Sequence, residues 1–167
     1  ITCRDWSSDV CSSDLRELLA NAMVDAWKED LQQTGVSESE IQKRTADSIL
    51  RFTNAPVLLV ICYDKAALQT YSINHQQLKE EQLAIQSTAA AITTLLFAFE
   101  GLGLAACWYS AGLFAPDTIQ KTLQYPDTWI SQAIVIAGYA EEKEYQNKSR
   151  KPLNEIFFDA ETFRRDE

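Results

Sequence analysis

The chain has 167 residues, of which 46% are hydrophobic and 23% charged, enough apolar side chain to bury one core and too much for a disordered chain. Fifteen Lys and Arg stand against twenty-four Asp and Glu, a formal charge of −9, and a surface of that sign repels a phosphate backbone, so nucleic acid is not an expected partner. The longest apolar stretch, Leu95 to Tyr109, is broken by Glu100, Gly101 and Gly103 and falls short of the roughly 20 residues of a membrane helix, so no membrane partner is expected either.

Cys3, Cys11, Cys62 and Cys107 show no CxxC spacing and have no neighbouring His, which argues against a disulfide framework or a metal site and fits a reducing, cytoplasmic setting. Residues 1–15, ITCRDWSSDVCSSDL, are rich in Ser and Asp, carry the near-repeat Ser7-Ser8-Asp9-Val10-Cys11 and Ser12-Ser13-Asp14, and have neither helical nor strand period. They lack the apolar run of a secretory signal. They resemble translated sequencing-adapter DNA, so they are expected to be a non-native leader, unpacked against the core, with residues 16–167 forming a partial domain that lacks its own N-terminal part.

From Arg16 the pattern becomes regular. Leu18, Leu19, Ala22, Met23, Ala26, Trp27 and Leu31 recur at three and four residues and predict a helix over Arg16–Gln33, ended by Gly35. Ser37 and Glu40 have the spacing of a capping box, ahead of a second helix that Pro56 stops. The unbroken apolar run Val57–Tyr63 suits a strand buried on both faces. Asp64 to Leu78 reads as a polar connection holding the single histidine, His75. Gln82 to Leu102 gives the strongest helical signal, and Leu104–Ser110 returns to strand. Pro116 sits near the start of a short helix reaching Tyr125, and Ser131–Tyr139 makes a third strand. The tail is charged from Glu141 and apolar again at Ile156–Phe158. Without repeats or a linker, this is one α+β domain.

The small side chains Ser87, Thr88, Ala89, Ala90, Ala91, Thr93 and Thr94 would let another backbone approach the long helix closely. Either internal core packing or a dimer interface would use them. Gly101-Leu102-Gly103-Leu104-Ala105-Ala106 satisfies G-x-G-x-x-A, but that dinucleotide fingerprint must leave a strand and open a helix, whereas here a helix precedes and a strand follows. The two glycines are better read as a helix stop with a left-handed residue. His75 has no partner at a suggestive spacing, and Cys62 and Cys107 in apolar strands are expected to be core thiols with raised pKa. Glu80, Glu81, Glu141, Glu142 and Glu144 read as solvated charge clusters. No side chain stands out as catalytic and no metal site is expected. Lys148-Ser149-Arg150-Lys151-Pro152 is a compact basic patch in an acidic chain; taken alone it suits either a solvated turn or a phosphate contact.

The run from Ala89 to Trp108 resembles the central helix and following strand of the FMN-dependent nitroreductase family. Leu113-Phe114-Ala115-Pro116-Asp117, Tyr125-Pro126-Asp127-Thr128-Trp129, Ala133 to Tyr139 and Arg150-Lys151-Pro152-Leu153 follow in that family's order. Arg16 to Pro56 is similar to the subgroup that includes the C-terminal domain of the coenzyme F420 ligase. The resemblance implies an α+β sandwich around an antiparallel sheet, a homodimer, and FMN bound in the dimer interface. It carries cofactor contact onto Trp108, Tyr109, Ser110 and Ala111, with a backbone N–H near Ala111 facing flavin N5, and the phosphate contact onto Lys148 and Arg150.

The family's opening Arg-Arg-Ser-like helix and its Asn-x-Gln-Pro-Trp strand have no counterpart here, so part of the cofactor cradle is expected to be missing. The implied function is an FMN-dependent oxidoreductase that passes hydride from NAD(P)H to a small-molecule acceptor such as a nitroaromatic or quinone. The alternative is a flavin- or ligand-binding accessory domain without turnover.

Overall fold

The computed structural model describes residues 13–140 and 149–157. The expectations for Trp6, Val10, Glu141, Glu142, Glu144, Lys148 and Phe158 lie outside the described residues.

Helix α1 (Ser13–Gln33) and helix α2 (Glu38–Asn54) come first, and Gly35, at φ +74°, makes the left-handed turn between them. The capping box does not form. Ser37 occupies the N-cap with extended backbone, but its side chain makes no cap bond, and Glu40 turns outward to Arg44 at 2.7 Å. A charge-assisted pair one helical turn away has taken the carboxylate that a capping box would use.

Strand β1 (Val57–Asp64) follows, then a 3-10 turn at Lys65–Ala67 and helix α3 (Asn74–Gly101). Helix α3 starts eight residues ahead of the Gln82 expected from its apolar period, and His75 sits in its first turn rather than in a loop. Residues 74–81 are nearly all polar because that part of the helix stands largely in solvent, which hides it from a periodicity argument. Strand β2 (Ala105–Tyr109), helix α4 (Ala111–Phe114), helix α5 (Pro116–Leu123) and strand β3 (Trp129–Gly138) complete the domain, and a 3-10 turn at Leu153–Glu155 lies in the tail. Pro116 opens α5, where its missing N–H has no helical partner to lose.

The three strands form one antiparallel sheet in the order β1-β3-β2, so the last strand in sequence is the middle one in space. Its register runs from Val57 opposite Ala137 to Asp64 opposite Trp129 on one side, and from Ala105 opposite Gly138 to Tyr109 opposite Ile134 on the other. Strand β1 is therefore an edge, and most of its residues are only half-buried rather than enclosed on both faces as its continuous apolar run suggested. A bulge between Ile61 and Cys62 pairs them with Ala133 and Ser131, leaving Gln132 unopposed.

Each face of the sheet carries its own apolar cluster. Leu58 and Ile134 join Leu19, Ala20 and Met23 of α1, Phe52 of α2 and Ile119 of α5 on one side, with Val60, Ile136 and Tyr109 against them. On the other side Ala133 and Val135 pack with Ile92 of α3, backed by Leu59, Ile61, Ala106, Leu96 and Phe99. The strand pleat, which sends successive residues to opposite faces, accounts for the division.

Helix α3 contributes little else to this core. Thr88 and Ile92 are its only buried residues, while Leu78, Leu83, Ile85 and Phe97 are exposed. By length and composition it is the one described helix apolar enough to cross a membrane, a property not evident from the shorter stretch Leu95–Tyr109. The stripe holding Ile92, Leu96 and Phe99 is nevertheless occupied by the sheet.

Candidate cofactor site

Strand β2 ends at Tyr109, opposite Ile134, while β3 extends five residues further, to Trp129. Past Tyr109 the chain therefore leaves the sheet edge and turns at Ser110 into α4, which opens with Ala111. Trp108 lies two residues from Ala106 and so on the α3 face of the sheet. Its side chain is 37% exposed, leaving part of the indole open.

Tyr109 points to the opposite face. Its ring meets Phe52 edge-on at 5.4 Å between centroids, and the Arg51 guanidinium lies 5.2 Å from its centre. Burial pushes its hydroxyl up to about 12, helped by Cys107 and opposed by Arg51. The two aromatic neighbours expected in one site thus present side chains to different faces, and only the Tyr109 backbone shares the turn with Trp108.

Ser110 is exposed and its side chain makes no cap bond to α4, and Ala111, as the first residue of that helix, has an N–H with no partner inside it. A partly exposed indole, a hydroxyl and a backbone donor therefore follow one another at the end of one edge strand. Arg150 is exposed, and among the described residues no hydrogen bond or ion pair links it to 108–111.

Two residues that sequence reasoning passed over fix this turn. Gly112 is buried against β3: a Cβ there would sit 2.8 Å from the Ala133 nitrogen and 3.0 Å from its Cα. Ser131, 1% exposed, donates its hydroxyl to the Gly112 carbonyl at 2.5 Å. The glycine after Ser110-Ala111 was the available signal; its meaning depends on a strand that returns nearly twenty residues later.

The remaining sequence candidates have structural roles. Cys62 is half-buried, and burial pushes its thiol up to about 11. Cys107 is exposed rather than part of the core, because neither apolar cluster on the two faces of the sheet extends over it. Glu80 and Glu81 are not merely solvated: Glu80 accepts from the Gln69 N–H and Glu81 pairs with Lys65 at 3.3 Å, tying the loop ahead of α3 to that helix. His75 lines a shallow cavity of about 290 Å3 together with Tyr71, Gln76, Lys79, Glu80 and Leu83; none of the residues expected to touch cofactor lies there.

The Nitroreductase family model matches residues 4–139. Among solved structures, the chain is similar to a BluB-like flavoprotein from Clostridium difficile 630, at 22% identity over 87% of this chain and 74% of that one, with a TM-score of 0.61. It is also similar to a nitroreductase-like family protein from Bacillus cereus, at 21% identity over 87% and 68% of the two chains and a TM-score of 0.59. A third is the FMN-dependent nitroreductase NfnB from Mycobacterium smegmatis, solved in complex with NADPH, at 15% identity, 87% and 74% coverage and a TM-score of 0.55. At these identities the likeness is one of fold. With the family model spanning most of the chain and the same α+β fold around an antiparallel sheet, the chain belongs to the Nitroreductase family.

Proposed function

We propose that the chain is an FMN-dependent oxidoreductase which takes reducing equivalents from NAD(P)H and delivers them to a small-molecule acceptor such as a nitroaromatic or quinone. The observation that carries this reading is the turn after β2, which holds in close succession the partly exposed Trp108, the uncapped Ser110 hydroxyl and the Ala111 N–H at the start of α4. Family membership and the FMN and NADPH named for NfnB support it. These groups fit a flavin: a planar aromatic system needs an apolar surface beside it and donors for its ring nitrogens and carbonyls, and the turn offers both kinds of group.

FMN, when bound, supplies hydride chemistry at N5. The chain's part is to hold and tune the ring. Trp108 would shield a bound flavin from water, the Ala111 N–H and the Ser110 hydroxyl would offer donors to its ring, and Lys148 and Arg150 would neutralise its phosphate. This division of labour explains why the site needs no acid–base pair and why His75 and Cys62 stand apart from it.

We also assign the outward face of α3, with Ala90, Thr93, Thr94 and Phe97 exposed, to a second copy of the chain in a twofold dimer. The enzymatic reading is tested by adding FMN to the purified chain and then NADH or NADPH under anaerobic conditions. Loss of the yellow flavin colour is expected. A bound flavin that keeps its colour points to the accessory-domain reading, and failure to bind flavin overturns the enzymatic reading and leaves only an accessory domain for another ligand.

A further inference from the structure

The chain's departure from the sheet after Tyr109 could follow many paths, yet it lies directly on β3 at the bulge. Ser131 and Ala133 are the bulge residues opposite Cys62 and Ile61, and Gln132 between them has no partner in the register. Gly112 rests on this irregular stretch with no room for a Cβ above Ala133. Ser131, almost wholly buried, donates to the Gly112 carbonyl across nineteen residues of sequence. The contact is thus fixed in height by a backbone packed against backbone, and in direction by one hydrogen bond.

We infer that Ser131 is a positioning residue for the cofactor: by gripping the Gly112 carbonyl it aims the Ser110–Ala111 backbone at the flavin ring. The inference rests on the flavin reading above and adds to it a residue that does not itself touch the ring. Ser110 alone connects β2 to α4, Ala111 is the first residue of that helix, and the peptide unit that follows Ala111 leads directly into the gripped residue. If Gly112 moves, Ala111 moves with it. Substituting Ser131 by Ala removes the donor and leaves a buried carbonyl without that partner, a loss typically near 1 kcal/mol and so about fivefold in an equilibrium. Gly112→Ala attacks the same contact from the other side by forcing its new Cβ against the Ala133 backbone.

The experiment compares the chain with its Ser131→Ala and Gly112→Ala variants, and with Thr45→Ala, which removes a buried hydroxyl bonded within α2. Hydrogen–deuterium exchange of the FMN-free proteins, read on peptides covering 108–114, is expected to speed up by about fivefold or more in Ser131→Ala and to stay unchanged in Thr45→Ala. Titration with FMN should then show about five- to tenfold weaker binding for Ser131→Ala, with a shift of the bound flavin's absorption band and midpoint potential that Thr45→Ala does not produce. Unchanged exchange at 108–114 overturns the inference. So does faster exchange with FMN affinity, absorption band and potential all unaltered. If Gly112→Ala does not fold, Ser131→Ala alone decides. If the unsubstituted chain takes up no FMN, the flavin reading falls and this inference with it, whereas FMN binding that is indifferent to Ser131 overturns the positioning role alone.

Discussion

A single thiol makes the energetics of the sheet accessible to titration. Cys62 lies beside the bulge, and burial raises its pKa from 9 to about 11. Below pH 9 the thiol is neutral in both folded and unfolded chains, so its contribution is fully present there. Between pH 9 and 11 the unfolded chain releases the proton while the folded one keeps it, so stability falls as pH rises. After allowance for solvent screening at a half-buried site, the loss should be no more than about 2 kcal/mol. Tyr109 and Tyr125, both raised from 10 to about 12 chiefly by burial, act in the same direction above pH 10. Urea unfolding from pH 7 to 10.5 should therefore show a shallower alkaline decline for Cys62→Ala, and identical slopes would remove Cys62 from the account. The buried thiol was legible from its apolar strand. The exposure of Cys107 was not, because its neighbours in sequence are equally apolar and only the packing of the helices on the sheet decides which strand residues are covered.

At the scale of elements, sequence reading succeeded where a side-chain period or a stop residue decides the structure. The left-handed residue predicted after α3 is Gly103, at φ +74° with open space around it. Gly103→Ala should therefore lower stability by about 1 kcal/mol through backbone strain alone, since no contact is made or lost; an unchanged urea midpoint would show that the turn is not held in that conformation. The reading fell short at the start of α3 and at the Ser37 capping box, where polar residues had a choice of partners. The helix also has two sides of different kind. Its inner stripe belongs to the sheet, and the run of small residues lies largely on the other side, where Ala90, Ala91, Thr93 and Thr94 are exposed. Ala90→Arg keeps helix propensity and touches nothing in the protomer's core, so folding should be retained. If α3 packs against a second copy there, two buried guanidinium groups would face each other across the twofold axis. Light scattering should find a dimer for the unsubstituted chain and a monomer for Ala90→Arg. A variant that remains dimeric would move the interface elsewhere.

For the molecule as a whole, the sheet explains why the family could be recognised from ordered fragments while a site built across them is harder to read from sequence. The element order and the antiparallel pairing are carried by apolar runs and glycine stops, and these recur down the chain. A ligand site is a meeting of distant segments. Trp108 to Ala111 are contiguous and could be named together, whereas Ser131 joins them only because β3, last in sequence, lies in the middle of the sheet. The proposed phosphate contact is the most distant of these segments in sequence and would depend on charge rather than packing. In a chain of net charge −9, a phosphate dianion is repelled at long range and must be held by local cations, for which Lys148 and Arg150 are the candidates. Each charge-assisted bond is worth roughly 1.5 to 3 kcal/mol, so Arg150→Ala should weaken FMN binding by about ten- to a hundredfold. Lys28→Ala serves as the comparison, since Lys28 already pairs with Asp25 on the surface of α1; it should leave affinity within about twofold. Raising the salt concentration should narrow the gap between the chain and Arg150→Ala, because screening weakens an exposed ion pair more than it weakens stacking or backbone hydrogen bonds. Flavin fluorescence during titration gives each dissociation constant, and equal affinity for the chain and Arg150→Ala at low salt would return the basic cluster to the solvent.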